Sequence, residues 1–163
     1  MKSAVHTFLR PVLLVLFLLP LMAAAIDIAV TGDWTDLFIT ANDLTAGPGS
    51  NLTGQYESNI DQATIDIVNT AGNSDSWRVD VKRTDTTWGS TAVLAVRRYD
   101  SGYGEGSISG GLAYQTVGTT DMSFFSGTGD RTGIRIQLKI SNVSLSLSPG
   151  NYSSTISYTV VDL

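Results

Sequence analysis

Apolar and polar residues alternate along most of this chain with a period of two. That spacing puts every second side chain on one face of a β-strand. Ile26, Ile28 and Val30 alternate with Asp27, Ala29 and Thr31, and Leu37, Ile39 and Ala41 repeat the pattern. Ile65 and Ile67 alternate with Thr64 and Asp66. Trp77, Val79 and Val81 face one way, and Arg78, Asp80 and Lys82 the other. Ile134, Ile136, Leu138 and Ile140 alternate with Arg135, Gln137 and Lys139. Val143, Leu145 and Leu147 alternate with serines, and Tyr152, Ile156, Tyr158 and Val160 share the last face. Thr91 to Tyr99 is more continuously apolar, as suits a central strand. Ile67, Trp77, Val79, Ile136 and Leu138 are the expected core.

Turn-forming residues separate these runs, at 46–50, 69–76, 100–111 and 127–133 and at Pro149-Gly150. No segment has a helical period, and Thr119 to Phe125 has room for one helical turn. The pattern predicts an all-β chain of about eight or nine short strands, an antiparallel β-sandwich of the immunoglobulin type. A closed up-and-down barrel is the alternative. A composition rich in Thr, Ser, Gly, Val and Ile agrees. Tyr152 follows a Pro-Gly corner, where immunoglobulin-like domains bond a Tyr hydroxyl back to the corner backbone. It is a candidate tyrosine corner, with an ordinary strand aromatic as the other reading.

The start of the chain has a different character. Lys2 and Arg10 precede a wholly apolar run from Val12 to Leu19, then Pro20 and Ala23-Ala24-Ala25. This is the pattern of a secretory signal peptide over residues 1–25. The run falls short of the roughly 20 residues that span a bilayer, which disfavours an uncleaved anchor. Residues 26–163 are then one domain, secreted to the periplasm or extracellular surface. No later run reaches membrane length, so no membrane insertion is expected after cleavage.

Charge and residue types narrow the chemistry. The chain carries a net −5, and losing the leader removes Lys2 and Arg10 but no acid, leaving −7. Such a surface disfavours nucleic acid and anionic lipid as partners. There is no cysteine, and the one histidine, His6, lies in the leader. A Ser-His-Asp triad, a Cys-His pair, a zinc site of the usual type and a disulfide are all excluded from residues 26–163. Glu57 and Glu105 join thirteen Asp. No spacing among them fixes a glycosidase-type pair, and Asp beside Gly or Asn is commonly turn chemistry. The expectation is no enzyme, no catalytic residues, no metal and no cofactor. Calcium in Asp100 to Glu105 or Gly127 to Asp130 is the alternative, on loops without regular ligand spacing.

Aromatic and basic residues offer candidate surfaces. Trp77 belongs to the core by phase, and Trp34 is placed to cap one end. Trp88 sits in a polar segment with no periodic reason to be buried. With Tyr99 and Tyr103 it forms a candidate ligand platform for sugar rings. Arg78, Lys82, Arg83, Arg97 and Arg98 lie on two strands read as neighbours, and are expected to pair with nearby Asp. Asn51, Asn142 and Asn151 begin glycosylation sequons, usable in a host that glycosylates them.

Two terminal motifs carry a family resemblance. Ile26-x-Ile28-x-Val30-x-Gly32, and Gly150-x-Tyr152 through Tyr158-Thr-Val160-Val-Asp162, resemble bacterial pilin and spore-coat-U-like surface subunits of the chaperone–usher kind. The resemblance implies a final Gly-x-Tyr strand that closes an incomplete sandwich. It also implies a gap filled by the apolar N-terminal strand of a neighbouring subunit. Ile26, Ile28 and Val30 are then candidate strand-exchange residues. Alternatively they form an edge strand of their own sheet, which the closeness of Trp34 and Leu37 favours. Many such pilins carry a disulfide, which this chain lacks. The expected function is an exported, non-catalytic structural or adhesive surface protein, pilus-like or coat-like, whose partners are other surface subunits or itself. The alternative is a secreted carbohydrate-binding module that holds polysaccharide on Trp88, Tyr99 and Tyr103.

Overall fold

The computed structural model describes residues 25–34, 37–88 and 91–163. The leader assigned to residues 1–25 therefore lies outside the described residues, apart from Ala25. Ten strands follow in order: β1 (Asp27–Thr31), β2 (Gln55–Glu57), β3 (Ala63–Val68), β4 (Ser76–Asp85), β5 (Val93–Arg98), β6 (Ile108–Gly110), β7 (Gln115–Thr116), β8 (Met122–Thr128), β9 (Arg131–Ser141) and β10 (Ser154–Asp162). Among the described residues, no helix is long and apolar enough to cross a membrane.

The strands form an antiparallel β-sandwich. One sheet runs β1-β3-β9-β5-β7, with β2 beside the far end of β9, and the other runs β10-β4-β8-β6. Among the described residues, no two consecutive strands pair with each other. From β3 to β10 every connection crosses between the sheets, so the turn signals there do not mark hairpins, whereas the turn at 46–50 is bracketed by an antiparallel bridge between Leu44 and Leu52. Inward positions of both sheets meet in one core. Ile65, Ile67 and Ile136 come from the first sheet and Trp77, Val79 and Val81 from the second, all with no accessible surface. The residues the alternation assigned to the core are buried, Leu138 among them. The Trp77 indole N–H donates to the Gly129 carbonyl at 2.8 Å. Its ring meets Phe125 edge-on, with centroids 6.0 Å apart.

Several sequence expectations give way to local chemistry. Leu37, Ile39 and Ala41 form no strand. Ala41–Asp43 is one 3-10 turn, where the Thr40 hydroxyl accepts from the Asn42 N–H and the Asp43 carboxylate accepts from the Thr40 N–H at 2.8 Å. That reciprocal cap competes with strand pairing. Val143, Leu145 and Leu147 form no strand either, because Asn142 takes a left-handed φ of 59° directly after β9. Thr119 to Phe125 has no helical turn and enters β8 at Met122. The tally exceeds eight or nine because β2, β6 and β7 are two or three residues long, too short to show a period. Arg78, Lys82 and Arg83 on β4 and Arg97 and Arg98 on β5 are not neighbours, since β4 and β5 belong to opposite sheets. The β4 cations do pair with acids: Arg78 with Asp80 at 2.6 Å, Lys82 with Asp121 at 3.0 Å and Arg83 with Asp85 at 3.5 Å.

A seam joins the sheets at the start of β9. Between β5 and β6 the chain lies along the β8–β9 turn. Tyr103 exchanges both backbone hydrogen bonds with Thr132, at 2.7 and 2.9 Å. Gly102, Gly104 and Gly106 all have positive φ, and a Cβ on Gly104 would stand 2.2 Å from the Asp130 carbonyl oxygen. Two buried arginines hold the segment. Arg98 donates to the Gly110 carbonyl at 2.6 Å and the Asp100 carbonyl at 2.8 Å, and Arg131 to the Ser101 and Gly106 carbonyls. Burial lowers the Arg98 pKa from its ordinary value, and nearby Asp100 opposes that shift.

Candidate functional site

Two features stand out from the scaffold: a cleft at one end of the sandwich and a stripe on the outer face of one sheet.

The cleft opens at the far end of β9 from the seam, where the two sheets part. It has a volume of about 1300 Å³. Leu138 and Ile140 of β9, Leu94 of β5, Ile156 and Tyr158 of β10, and Trp88 line it. Trp34 packs on the core here and lines the same space. Burial pushes the Tyr158 phenol up from its ordinary value. The rim mixes exposed apolar side chains with Asp33, Thr40, Ser144, Ser148 and Asn151. Phe38 is 78% exposed and Leu145 57% exposed.

Trp88 corrects the expected sugar platform. It is 8% exposed and packs with Ala92 and Leu94 in a small cluster that Ile140, Tyr152 and Ile156 complete. Its indole N–H donates to the Ala92 carbonyl at 3.1 Å, and the Arg83 guanidinium lies over its ring at 5.4 Å. Residues 84–87 and Thr91 are exposed while the Trp88 indole turns inward. No period could show that.

Ile28 and Val30 lie on β1, the outermost strand of the first sheet, with Ile26 just ahead of it. β1 pairs with β3 of its own chain, from Asp27 opposite Val68 to Thr31 opposite Thr64. Ile26 and Ile28 pack against the core, whereas Val30 is exposed at the cleft. β10 is the outermost strand of the other sheet, and β1 and β10 lie close together along the flank.

Tyr152 lies at the cleft mouth and donates its hydroxyl to the Ser148 carbonyl at 2.7 Å. Tyr152→Phe keeps the ring and removes this bond. The expected loss is about 0.5–1.5 kcal/mol in urea unfolding, the usual net value of one hydrogen bond. A variant as stable as the parent would show that water replaces the bond at no cost.

The stripe follows β9 on the outer face of the first sheet. Tyr99 and Tyr103 fall on this face because their backbone N–H groups donate to the Arg135 and Thr132 carbonyls, each at 2.7 Å. Tyr103 is 80% exposed, and its ring covers Gly133, whose missing side chain leaves it room. Further along, cations and rings alternate. Arg135 lies 4.9 Å from the Tyr99 ring centre, Arg97 lies 5.8 Å from Tyr99 and 4.7 Å from Tyr114, and Lys139 lies 4.1 Å from Tyr114. Gln137 sits among them and accepts two bonds from Arg97, at 2.9 and 2.7 Å. Burial, then the Glu57 carboxylate, push the Tyr114 phenol up. The polar phase of β9 already put Arg135, Gln137 and Lys139 on one face. Tyr114 was missed, for its segment has no period.

In the loops that suggested calcium, Asp100 and Asp130 are hydrogen-bonded to protein donors. Burial alone would raise the Asp100 pKa. The N–H groups of Arg135 and Gly102 and the Arg135 guanidinium, at 2.6 Å, outweigh it and hold the carboxyl below its ordinary value. Asp130 accepts from the Thr70 hydroxyl and N–H, and these bonds lower it likewise. Among the described residues, no three His, Cys, Asp or Glu side chains are grouped to hold a metal ion. Asn51, Asn142 and Asn151 are all exposed.

No family model, curated protein or solved structure matches this chain.

Proposed function

We propose that this chain is an exported, non-catalytic structural or adhesive surface subunit, immunoglobulin-like in its sandwich, that assembles with copies of itself. The observation that carries the reading is the cleft. A cleft of about 1300 Å³ whose floor is apolar, with Phe38 and Leu145 exposed on its rim, is costly to leave in water. A second copy presenting the same rim would cover it in a self-complementary contact, each Phe38 entering the other's cleft. The outermost strands β1 and β10 flank the opening, and their free backbone edges suit extension by a neighbour's strand. The terminal likeness to pilin and coat subunits supports the same reading. Because β1 is already paired with β3, exchange of that strand would first require its release, so association through the rim of closed subunits is the simpler route. The absence of His and Cys from residues 26–163 leaves no ready nucleophile–base pair.

Light scattering behind size-exclusion chromatography tests the proposal. Mass is expected to rise with concentration toward a dimer or larger assembly. Phe38→Asp and Leu145→Asp are expected to shift the protein to monomer without lowering its melting temperature, since both side chains are exposed. A parent protein that stays monomeric at the highest soluble concentration overturns the reading.

A further inference from the structure

We infer that the outer stripe along β9 is a binding site for an uncharged polysaccharide chain, separate from the cleft and from self-assembly. The stripe runs from Tyr103, over Gly133, to Lys139, six residues along one strand. At about 3.4 Å per residue that is about 20 Å, enough for several linked sugar rings. Tyr103, Tyr99 and Tyr114 follow one another along it, with charged and amide groups between them. A pyranose has apolar C–H faces and a hydroxyl rim. Aromatic rings suit the faces, and the Arg97, Arg135 and Lys139 donors suit the rim, while buried Gln137 holds Arg97 in place from beneath with its amide oxygen.

Tyr103 is the most open of the three rings. One side of it covers a glycine, and the residue is 80% exposed. Its position is fixed, because its backbone is paired with Thr132 in the seam. A ring held in place loses little freedom when a ligand stacks on it.

Charge balance decides between ligands. Arg97, Arg135 and Lys139 stand against Asp100, which is paired with Arg135, and against Glu57, Asp61 and Asp66 nearby. A polyanion would meet these carboxylates and a domain of net −7. A protein partner burying apolar side chains would need a continuous apolar patch, which the interleaved cations interrupt. An uncharged chain of rings with polar rims meets neither obstacle.

Affinity electrophoresis of the purified protein tests this, in gels containing a mixed-linkage glucan, xylan, galactomannan, dextran or alginate. At least one uncharged polymer is expected to retard the protein, to a similar degree at low and high salt. Tyr103→Ala and Tyr99→Ala are each expected to weaken that retardation about tenfold, as loss of an aromatic anchor does. Their melting temperatures should stay near the parent's, since both side chains are exposed. The proposal is overturned if none of the uncharged polymers retards the protein. It is equally overturned if retardation survives both substitutions, or if alginate alone binds and salt abolishes the effect. Phe38→Asp should leave retardation unchanged, which keeps this result distinct from that of the cleft.

Discussion

Trp77→Ala is expected to destabilise the domain by about 3–5 kcal/mol, the range for truncating a large buried aromatic. Three losses combine. The indole has no accessible surface, so alanine leaves a cavity walled by both sheets. The edge-on contact with Phe125 disappears. The Gly129 carbonyl loses its donor at a point where the β8–β9 turn supports the seam. The backbone has little freedom to close the gap. It is already shaped to the ring at Gly127, where a Cβ would lie 2.6 Å from the indole. Total stabilities run at about 5–15 kcal/mol, so this change alone would remove a large share. Urea unfolding followed by circular dichroism measures it. A loss under about 1 kcal/mol would mean that the core collapses around the smaller side chain.

Gly104→Val is the second large effect, expected at about 3 kcal/mol or more. Two terms add. A β-branched residue at φ +140° is strained by about 1–3 kcal/mol. A Cβ 2.2 Å from the Asp130 carbonyl oxygen also has to push the segment off the turn, weakening the Arg131 and Tyr103 bonds beside it. Gly49→Val separates the terms. Gly49 has φ +88° but nothing within 4 Å of its added Cβ, so it should show the conformational cost alone. Equal losses in the two variants would mean that the close approach contributes nothing.

The inner faces of the long strands were legible from the sequence, because burial on one side of a strand forces a two-residue period. Ile134 through Ile140 shows it most clearly. The period misled where side chains bonded to nearby backbone instead, as Thr40 and Asp43 do. It was silent at β6 and β7, where glycines and short runs carry no phase. The candidate sites divide the same way. The polar half of β9 gave three stripe residues in advance. Tyr99 and Tyr103 were legible as aromatics, but only the register against Arg135 and Thr132 brings them to one face. Trp88 was misplaced because a single residue turning inward from a polar loop leaves no trace in composition. The cleft was invisible, since it is made where β9, β10 and three loops meet.

That no two consecutive strands pair among the described residues has a kinetic consequence. A chain with hairpins can begin folding locally, within microseconds. Here only the short Leu44–Leu52 bridge is local, and every ladder between strands must first close a loop around another strand. β10 is the extreme case, reaching back from Asp162 to Trp77 and from Ser154 to Asp85. β3 similarly waits for β9. Folding is therefore expected on the millisecond-to-second scale typical of non-local β topologies. Until residue 162 is available, β4 lacks one of its two ladder partners. A chain that stops short of β10 would thus leave one edge of β4 unpaired until its last strand arrives.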